Sequence, residues 1–373
     1  MPAVCFDRMK LCDVLTALEQ IAPTRYAESW DNVGLLVGDP SQEVASAILT
    51  IDYTPQVAAE AQSLGCDLVI AYHPPIFEPL KRVRSLGPGE LIFDAIRRGV
   101  AIYSPHTALD VAAGGTNDML ADAVGLVDRW PLKLLQPRST QYKLVTFVPE
   151  KDLEKLSAAL FAAGAGRIGN YSSCSFRTKG SGTFFAEEGA EPAVGTRGRL
   201  ECVEEVRLET VVPIDAVDRV IRALRQNHPY EEPAFDLNVL AAAPEGVGMG
   251  RIGTMPPTPR AAIFERIKRE LDIDHLLVAG PTEGEITRAA VCAGACGELL
   301  NDAIAQHAEL YLSGEVRHHD ALRAARAGVT VVCTLHSNSE RAVLRRLAQQ
   351  LSRRLPGLKL ILSQEDRDPF ALR

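Results

Sequence analysis

Histidines and carboxylates gather just beyond four apolar runs of this sequence: His73 after residues 68–72, His106 and Asp110 after 100–103, Glu315, His318, His319 and Asp320 after 309–312, and His336 and Glu340 after 329–334. A single histidine at such a place is ordinarily a surface or hydrogen-bonded residue. Repetition at four run ends points instead to a shared site. Imidazole nitrogen with carboxylate oxygen is the donor mixture that suits zinc, iron or manganese, and a carboxylate can bridge two such ions. The four-residue spacing of His336 and Glu340 puts both groups on one helical face, so they converge. His318 and His319 are adjacent, and neighbours on a helix point about 100° apart, so one of them faces elsewhere. Glu315 is placed to orient a ligand, to accept a proton or to pair with Arg317. His307 reads as a partner for a helix C-terminus, and His228 and His275 converge with nothing.

The elements that must position these groups follow βαβ grammar. Strand-like runs at 47–52, 67–72 and 100–103 alternate with helix-like runs at 55–64 and 91–98. The pattern returns later, with strands at 289–293, 309–312 and 329–334 and helices at 298–307 and 320–327. Both halves contain a helix, a glycine (Gly99 or Gly328), an apolar strand and then a histidine followed by an acid: His106 with Asp110, His336 with Glu340. Glycine accepts the left-handed conformation that ends a helix, and the β-branched or aromatic run after it suits a buried strand. The histidines then stand at the carboxyl ends of strands, where open α/β sheets form ligand crevices. Leu344, Leu347 and Leu351 extend a helix from His336, with Ser337 or Ser339 as its cap.

Between the halves lies a segment with its own pattern, strands at 142–148 and 207–212 and helices at 151–162 and 217–225. The sequence therefore predicts an α/β protein whose duplicated βαβ-type core is interrupted by a small α+β domain: 1–125 and 244–373 as the core, 126–243 as the insert. Gly248, Gly250 and Gly253 satisfy G-x-G-x-x-G, but Pro256, Pro257 and Pro259 follow where a helix should open, so a turn is expected there and no dinucleotide site.

Composition limits the function classes. With 46% hydrophobic and 24% charged residues the chain is globular, and its apolar runs are far shorter than the ~20 residues of a membrane span. Asp7, Arg8, Lys10 and Asp13 interrupt any leader-like stretch, so a cytoplasmic address is expected. A net charge of −8 argues against nucleic acid, and the arginines of 345–354 read as a solvated helix face. The eight cysteines lack C-x-x-C pairs and read as reduced core thiols, Cys292 and Cys296 included.

Several ordered motifs carry a family resemblance: Trp30-Asp31-Asn32-Val33-Gly34-Leu35-Leu36-Val37-Gly38, His73-Pro74-Pro75-Ile76-Phe77, Ser104-Pro105-His106-Thr107 with Asp110, Gly314-Glu315 with His318-His319-Asp320, and His336 with Glu340. Together they resemble the NIF-three-like family, whose bacterial members are named type-two GTP cyclohydrolase homologues. The resemblance implies a hexameric ring with a dinuclear metal centre in each subunit. Carried over by motif, it assigns His73, Asp110, His336 and Glu340 to the metals and leaves His106 beside them as support or proton relay. Asn227-His228-Pro229-Tyr230-Glu231-Glu232-Pro233 in the insert resembles family members with a CutA/PII-like middle domain. Tyr72 is a departure, because many bacterial members carry a second histidine there, and it puts full occupancy of two ions in question.

These readings converge on a metal-dependent hydrolase acting on a nucleotide-like substrate, with two divalent ions per subunit. His106 and Glu315 would manage protons, and the Gly114-Gly115-Thr116-Asn117 turn is a candidate phosphate cradle. The alternative is a metal-binding scaffold or metal-delivery protein without turnover, since a metal cluster does not by itself name a reaction.

Overall fold

The structure, a computed structural model, describes residues 8–135, 141–240 and 246–371. They form two compact units, one drawn from both ends of the chain up to 135 and from 246, the other from 136–245.

The first unit is built on two mixed sheets. One has the order Lys359–Leu362, Ser46–Thr50, Leu68–Ala71, Ala101–Ser104 and Gly34–Val37, with the first four parallel and the last antiparallel. The other runs Leu277–Ala279, Thr330–Cys333, Leu310–Ser313, Glu285–Cys292, Arg251–Pro259 and Asp128–Trp130, parallel through its central three strands. Each sheet thus contains a run of parallel strands from one half of the duplication. The chain's last strand, Lys359–Leu362, crosses into the sheet of the first half.

Strand alternation divides the packing. Ala47, Leu49, Leu68, Ile70 and Tyr72 from one sheet share a core with Ala289, Val291, Leu310, Leu312 and Val332 from the other, filled in by Val343, Leu344, Leu347 and Leu351 of the helix His336–Arg354. The intervening residues Ile48, Val69 and Ile102 point to the opposite face, onto Ile92 and Ala95 of the helix Glu90–Arg98. Both faces of the parallel strands are covered, which is why Leu68–Ala71 and Leu310–Ser313 are buried at every position. Gly99 ends the helix Glu90–Arg98 in the left-handed conformation with φ 71°, and Gly328 has φ 77° before the strand Thr330–Cys333.

A buried arginine joins the two halves. Arg251 is 3% exposed and bonds Asp118 through Nε and Nη2 at 3.0 Å, with further bonds to the carbonyls of Gly248, Gly250, Val111 and Ala112. In place of the expected turn, the glycine-rich stretch forms two strands broken at Gly250 (φ 65°): Gly248–Met249 pairs with Lys133–Leu134, and Arg251–Pro259 with Glu285–Cys292.

The second unit is one four-stranded antiparallel sheet, ordered Ser175–Phe185, Leu200–Pro213, Gln141–Val148 and Phe235–Val239, with the helices Leu153–Ala162 and Val217–Asn227. This is the split βαββαβ arrangement of a small α+β domain. The strand Ser175–Phe185 escapes sequence reading because it lies at the sheet edge, largely exposed, and so carries no alternation of apolar residues.

Among the described residues no helix is long and apolar enough to cross a membrane. Cys12 and Cys202 are exposed, unlike the buried Cys66 and Cys292, so the expectation of core thiols fails for those two; Cys5 lies outside the described residues.

Candidate metal centre

Five strand ends bring ionisable side chains to the crevice edge: Ser46–Thr50 leads to Asp52, Leu68–Ala71 to His73, Ala101–Ser104 to His106, Leu310–Ser313 to Glu315 and Thr330–Cys333 to His336. Two of these turns hold backbone conformations that side chains rarely adopt, with φ 24° at His106 and φ 72° at Leu335. Such strain persists only where surrounding packing dictates it. Here it lets the chain pass from strand almost directly into a helix, His106–Val111 in one half and His336–Arg354 in the other. The serines do not cap the longer helix as the sequence suggests. Leu335 holds the cap position without a side-chain bond, Ser337 donates to Asp368 at 2.6 Å, and Ser339 accepts the Gly294 amide at 2.8 Å.

His73, His336 and Glu340 each present a donor atom within 4.8 Å of the others. Glu340, 2% exposed, stands between the imidazoles. Its Oε2 is 3.2 Å from His73 Nε2 and its Oε1 is 3.4 Å from His336 Nε2. The other nitrogen of each ring is held by a carboxylate, His73 Nδ1 by Asp52 at 3.0 Å and His336 Nδ1 by Glu315 at 2.6 Å. A carboxylate at Nδ1 fixes the proton there and turns the Nε2 lone pair toward a cation. His106 repeats the arrangement, with Nδ1 on Asp31 at 2.8 Å and its ring 5.3 Å from that of His73, but it is not in the three-residue group.

Asp110 also lies outside that group. Its Oδ1 accepts the phenol of the fully buried Tyr72, which lies 3.1 Å from Thr116 Oγ1. Burial and then the charge of Glu340 push the Asp110 carboxyl up to about 6, against the Tyr72 bond that lowers it. For His73, burial disfavours the charged ring, yet the facing carboxylates of Asp52 and Glu340 outweigh it and raise the group to about 10. Burial pushes Asp31 up too, and its bonds from His106 and Thr107 overcome this and hold it below its ordinary value. The site is an environment that favours added positive charge.

Two observations fit a metal to these residues. His73 Nε2 and Glu340 Oε2 are buried and have no hydrogen-bond partner among the described residues, although they face each other. Buried polar atoms left in this way are costly unless something else binds them. Gly294, with φ 68°, supplies the second: a Cβ there would come within 2.9 Å of Glu340 Oε1 and 3.6 Å of His336 Nε2, so its bare backbone keeps the space open.

Other residues singled out in the sequence are used differently. Glu315 is on His336 rather than Arg317, and the exposed His318 and His319 rings pack against one another. Thr116 and Asn117 are buried; the Asn117 amide holds the Asp110 carbonyl at 3.0 Å and its oxygen accepts the Ala293 amide at 2.9 Å, so the helix start there is committed to protein contacts. Asp52 and Asp31 drew no role from the sequence. The available signal was that Asp52 follows its strand as His73 follows the next, and that Asp31 lies inside the Trp30-Asp31-Asn32 motif.

The chain as a whole is similar to known proteins. The family described as Duf34/NIF3 (NGG1p interacting factor 3) matches residues 9–369. A protein of Halalkalibacterium halodurans named GTP cyclohydrolase 1 type 2 homolog is 36% identical over 365 residues, covering 96% of this chain and 97% of that protein. One of the same name from Mycobacterium tuberculosis is 39% identical over 337 residues, covering 89% and 88%. The crystal structure of a Bacillus cereus protein related to NIF3 superposes with TM-score 0.67 at 34% identity, covering 98% of this chain and 99% of the other.

Proposed function

This chain belongs to the Duf34/NIF3 family, and from that premise we propose that it is a divalent-metal protein with a dinuclear centre that hydrolyses a nucleotide-like substrate. The observation that carries the reading is the placement of Glu340, whose two oxygens face two different imidazoles, His73 and His336. A carboxylate so placed is suited to bridge two ions, each with one histidine. Asp110 would join them from the opposite half once its bond from Tyr72 is given up. Zinc, iron or manganese suits this donor set, and what the ions supply is Lewis acidity, enough to bring water toward deprotonation near a pKa of ~7.

The chain's own residues supply the rest. Asp52 and Glu315 orient the ligand rings. His106, kept in place by Asp31, is 14% exposed at its side chain and is the group placed to carry a proton between crevice and solvent. Glu315, 55% exposed, gives the His336 side a second route. A nucleotide-like substrate is supported by the names of the relatives, and a hexameric assembly by the family resemblance.

The test is a screen of pure, metal-analysed protein against nucleotides and phosphoesters, with sedimentation to establish the subunit count. Turnover that disappears in Glu340→Ala supports the hydrolase. Stoichiometric metal with no turnover across the panel rejects it in favour of a scaffold or metal-delivery role.

A further inference from the structure

A line of rings leads from the candidate metal centre to the surface. His336 and His73 are 5.3 Å apart between ring centroids, His73 and His106 5.3 Å, His106 and Trp30 6.1 Å, and Trp30 and Phe77 6.0 Å. The inner three are the imidazoles of the crevice. The outer two are large apolar rings left in contact with water, Trp30 58% and Phe77 51% exposed.

Their exposure is not slackness in the chain that carries them. Asp31 accepts bonds from His106 Nδ1 at 2.8 Å, the Thr107 amide at 3.1 Å and the Thr107 hydroxyl at 2.5 Å. The Glu28 amide donates to Thr107 Oγ1 at 3.0 Å, and the Asn32 side-chain amide donates to the Ile76 carbonyl at 2.5 Å. Residues on both sides of the indole are therefore pinned to the His106 turn and to the segment bearing Phe77. Two rigid aromatics are held beside each other at the mouth of the site, with planes inclined by 56°. Exposed apolar surface of this kind is unfavourable in water, and beside a cluster of imidazoles and carboxylates it is suited to take a flat apolar group.

We propose that Trp30 and Phe77 form a base-binding rim: a planar heteroaromatic ring of the nucleobase type stacks on the indole, and the oxygen-rich end of the same ligand reaches His73, His336 and Glu340. Two ring-to-ring steps, of 6.1 and 5.3 Å, separate the indole from His73, a reach that a single nucleotide covers. The inference rests on the nucleotide-type substrate proposed above and assigns the residues that recognise its base.

The chain has two tryptophans, so Trp130→Phe leaves Trp30 as the only indole reporter. Guanosine and adenosine triphosphates are titrated against this protein alongside inorganic triphosphate, with affinities measured independently by equilibrium dialysis. Both nucleotides should quench Trp30 emission, and inorganic triphosphate should not. In an otherwise native chain Trp30→Ala should weaken nucleotide binding about tenfold, the scale of one base–aromatic stack. Trp30→Phe should restore part of it, and Phe77→Ala should give a smaller loss. Affinity for inorganic triphosphate and metal content should stay unchanged in all three. Absence of nucleotide quenching, or equal nucleotide affinity in Trp30→Ala, overturns the proposal. So does a change in sedimentation on Trp30→Ala, which would make the rim a subunit contact. Failure of the hydrolase reading shows separately, as nucleotide stacking on Trp30 without turnover.

Discussion

The phenol of Tyr72 donates a hydrogen bond to Asp110, and it does so with no exposure to solvent. Tyr72 follows Leu68 and Ile70 onto the face that packs between the sheets, as strand alternation requires, and its hydroxyl reaches Asp110 from that core. It occupies an oxygen of a carboxylate that the proposed centre needs. Tyr72→His should raise metal occupancy at the weaker of two positions, since imidazole is a good ligand at neutral pH and a phenol with pKa near ~10 is a poor one. Competition with a chelator at fixed pH measures this, and no gain at either position would remove Tyr72 from any ligand's place. Tyr72→Phe should lower the stability of chelator-treated protein by about 1–3 kcal/mol, because it takes one of two side-chain donors, Tyr72 and Thr116, from the buried Asp110.

Asp52→Asn and Glu315→Gln test the carboxylates behind the ligands. Each should weaken metal binding by about 10- to 100-fold with the fold intact, as loss of a carboxylate behind a ligating histidine does. Isothermal titration with zinc and circular dichroism decide it together. Affinities unchanged in both variants would mean that the rings need no such support.

Glu340→Ala should remove most of the bound metal, since Glu340 is the residue shared by both imidazoles. Asp110→Asn should lower it less while Tyr72 still holds that side chain. Elemental analysis of folded protein provides the readout, and full metal content in Glu340→Ala would rule out the site.

Gly294→Ala should reduce metal content without touching a donor atom. The added Cβ would press on Glu340 Oε1, and φ 68° strains any side chain there. A cost of about 1 kcal/mol in stability from the backbone is expected alongside. Wild-type metal affinity in this variant would show that the bare backbone at Gly294 plays no part in keeping the site open.

Arg251→Met probes the joint between the halves. It leaves Asp118 without its closest buried cation and removes the bonds to four carbonyls, of which Ala112 keeps the Gly115 amide and Gly250 the Leu132 amide, so a loss of about 3–5 kcal/mol in urea unfolding is expected. A loss below ~1 kcal/mol would show that Arg129, 2.9 Å from Asp118, suffices.

Replacing residues 136–245 by a short flexible linker should leave a folded core that still binds metal. The ends left behind already pair, Lys133–Leu134 with Gly248–Met249, and the Leu135 amide donates to the Val247 carbonyl at 3.0 Å. Aggregation of a well-expressed deletion would show that the insert is integral.

What the sequence determined by itself was whatever repeats over a few residues. The glycine, apolar strand and histidine of each half, and the four-residue step from His336 to Glu340, are local patterns whose geometry follows from helix and strand periods. They located the crevice edge and the convergence of His336 with Glu340. Tertiary structure alone decided who meets whom across the chain: Asp31 with His106 at 75 residues' separation, Tyr72 with Asp110 at 38, and Asp52 with His73 at 21. It also sent the strand Lys359–Leu362 into the sheet of the first half and put Gly294 against Glu340. Such pairings leave no period in a sequence. A carboxylate that holds an imidazole has the same local neighbours as one that faces water, and only packing of the two sheets around a common core brings the partner within hydrogen-bond reach.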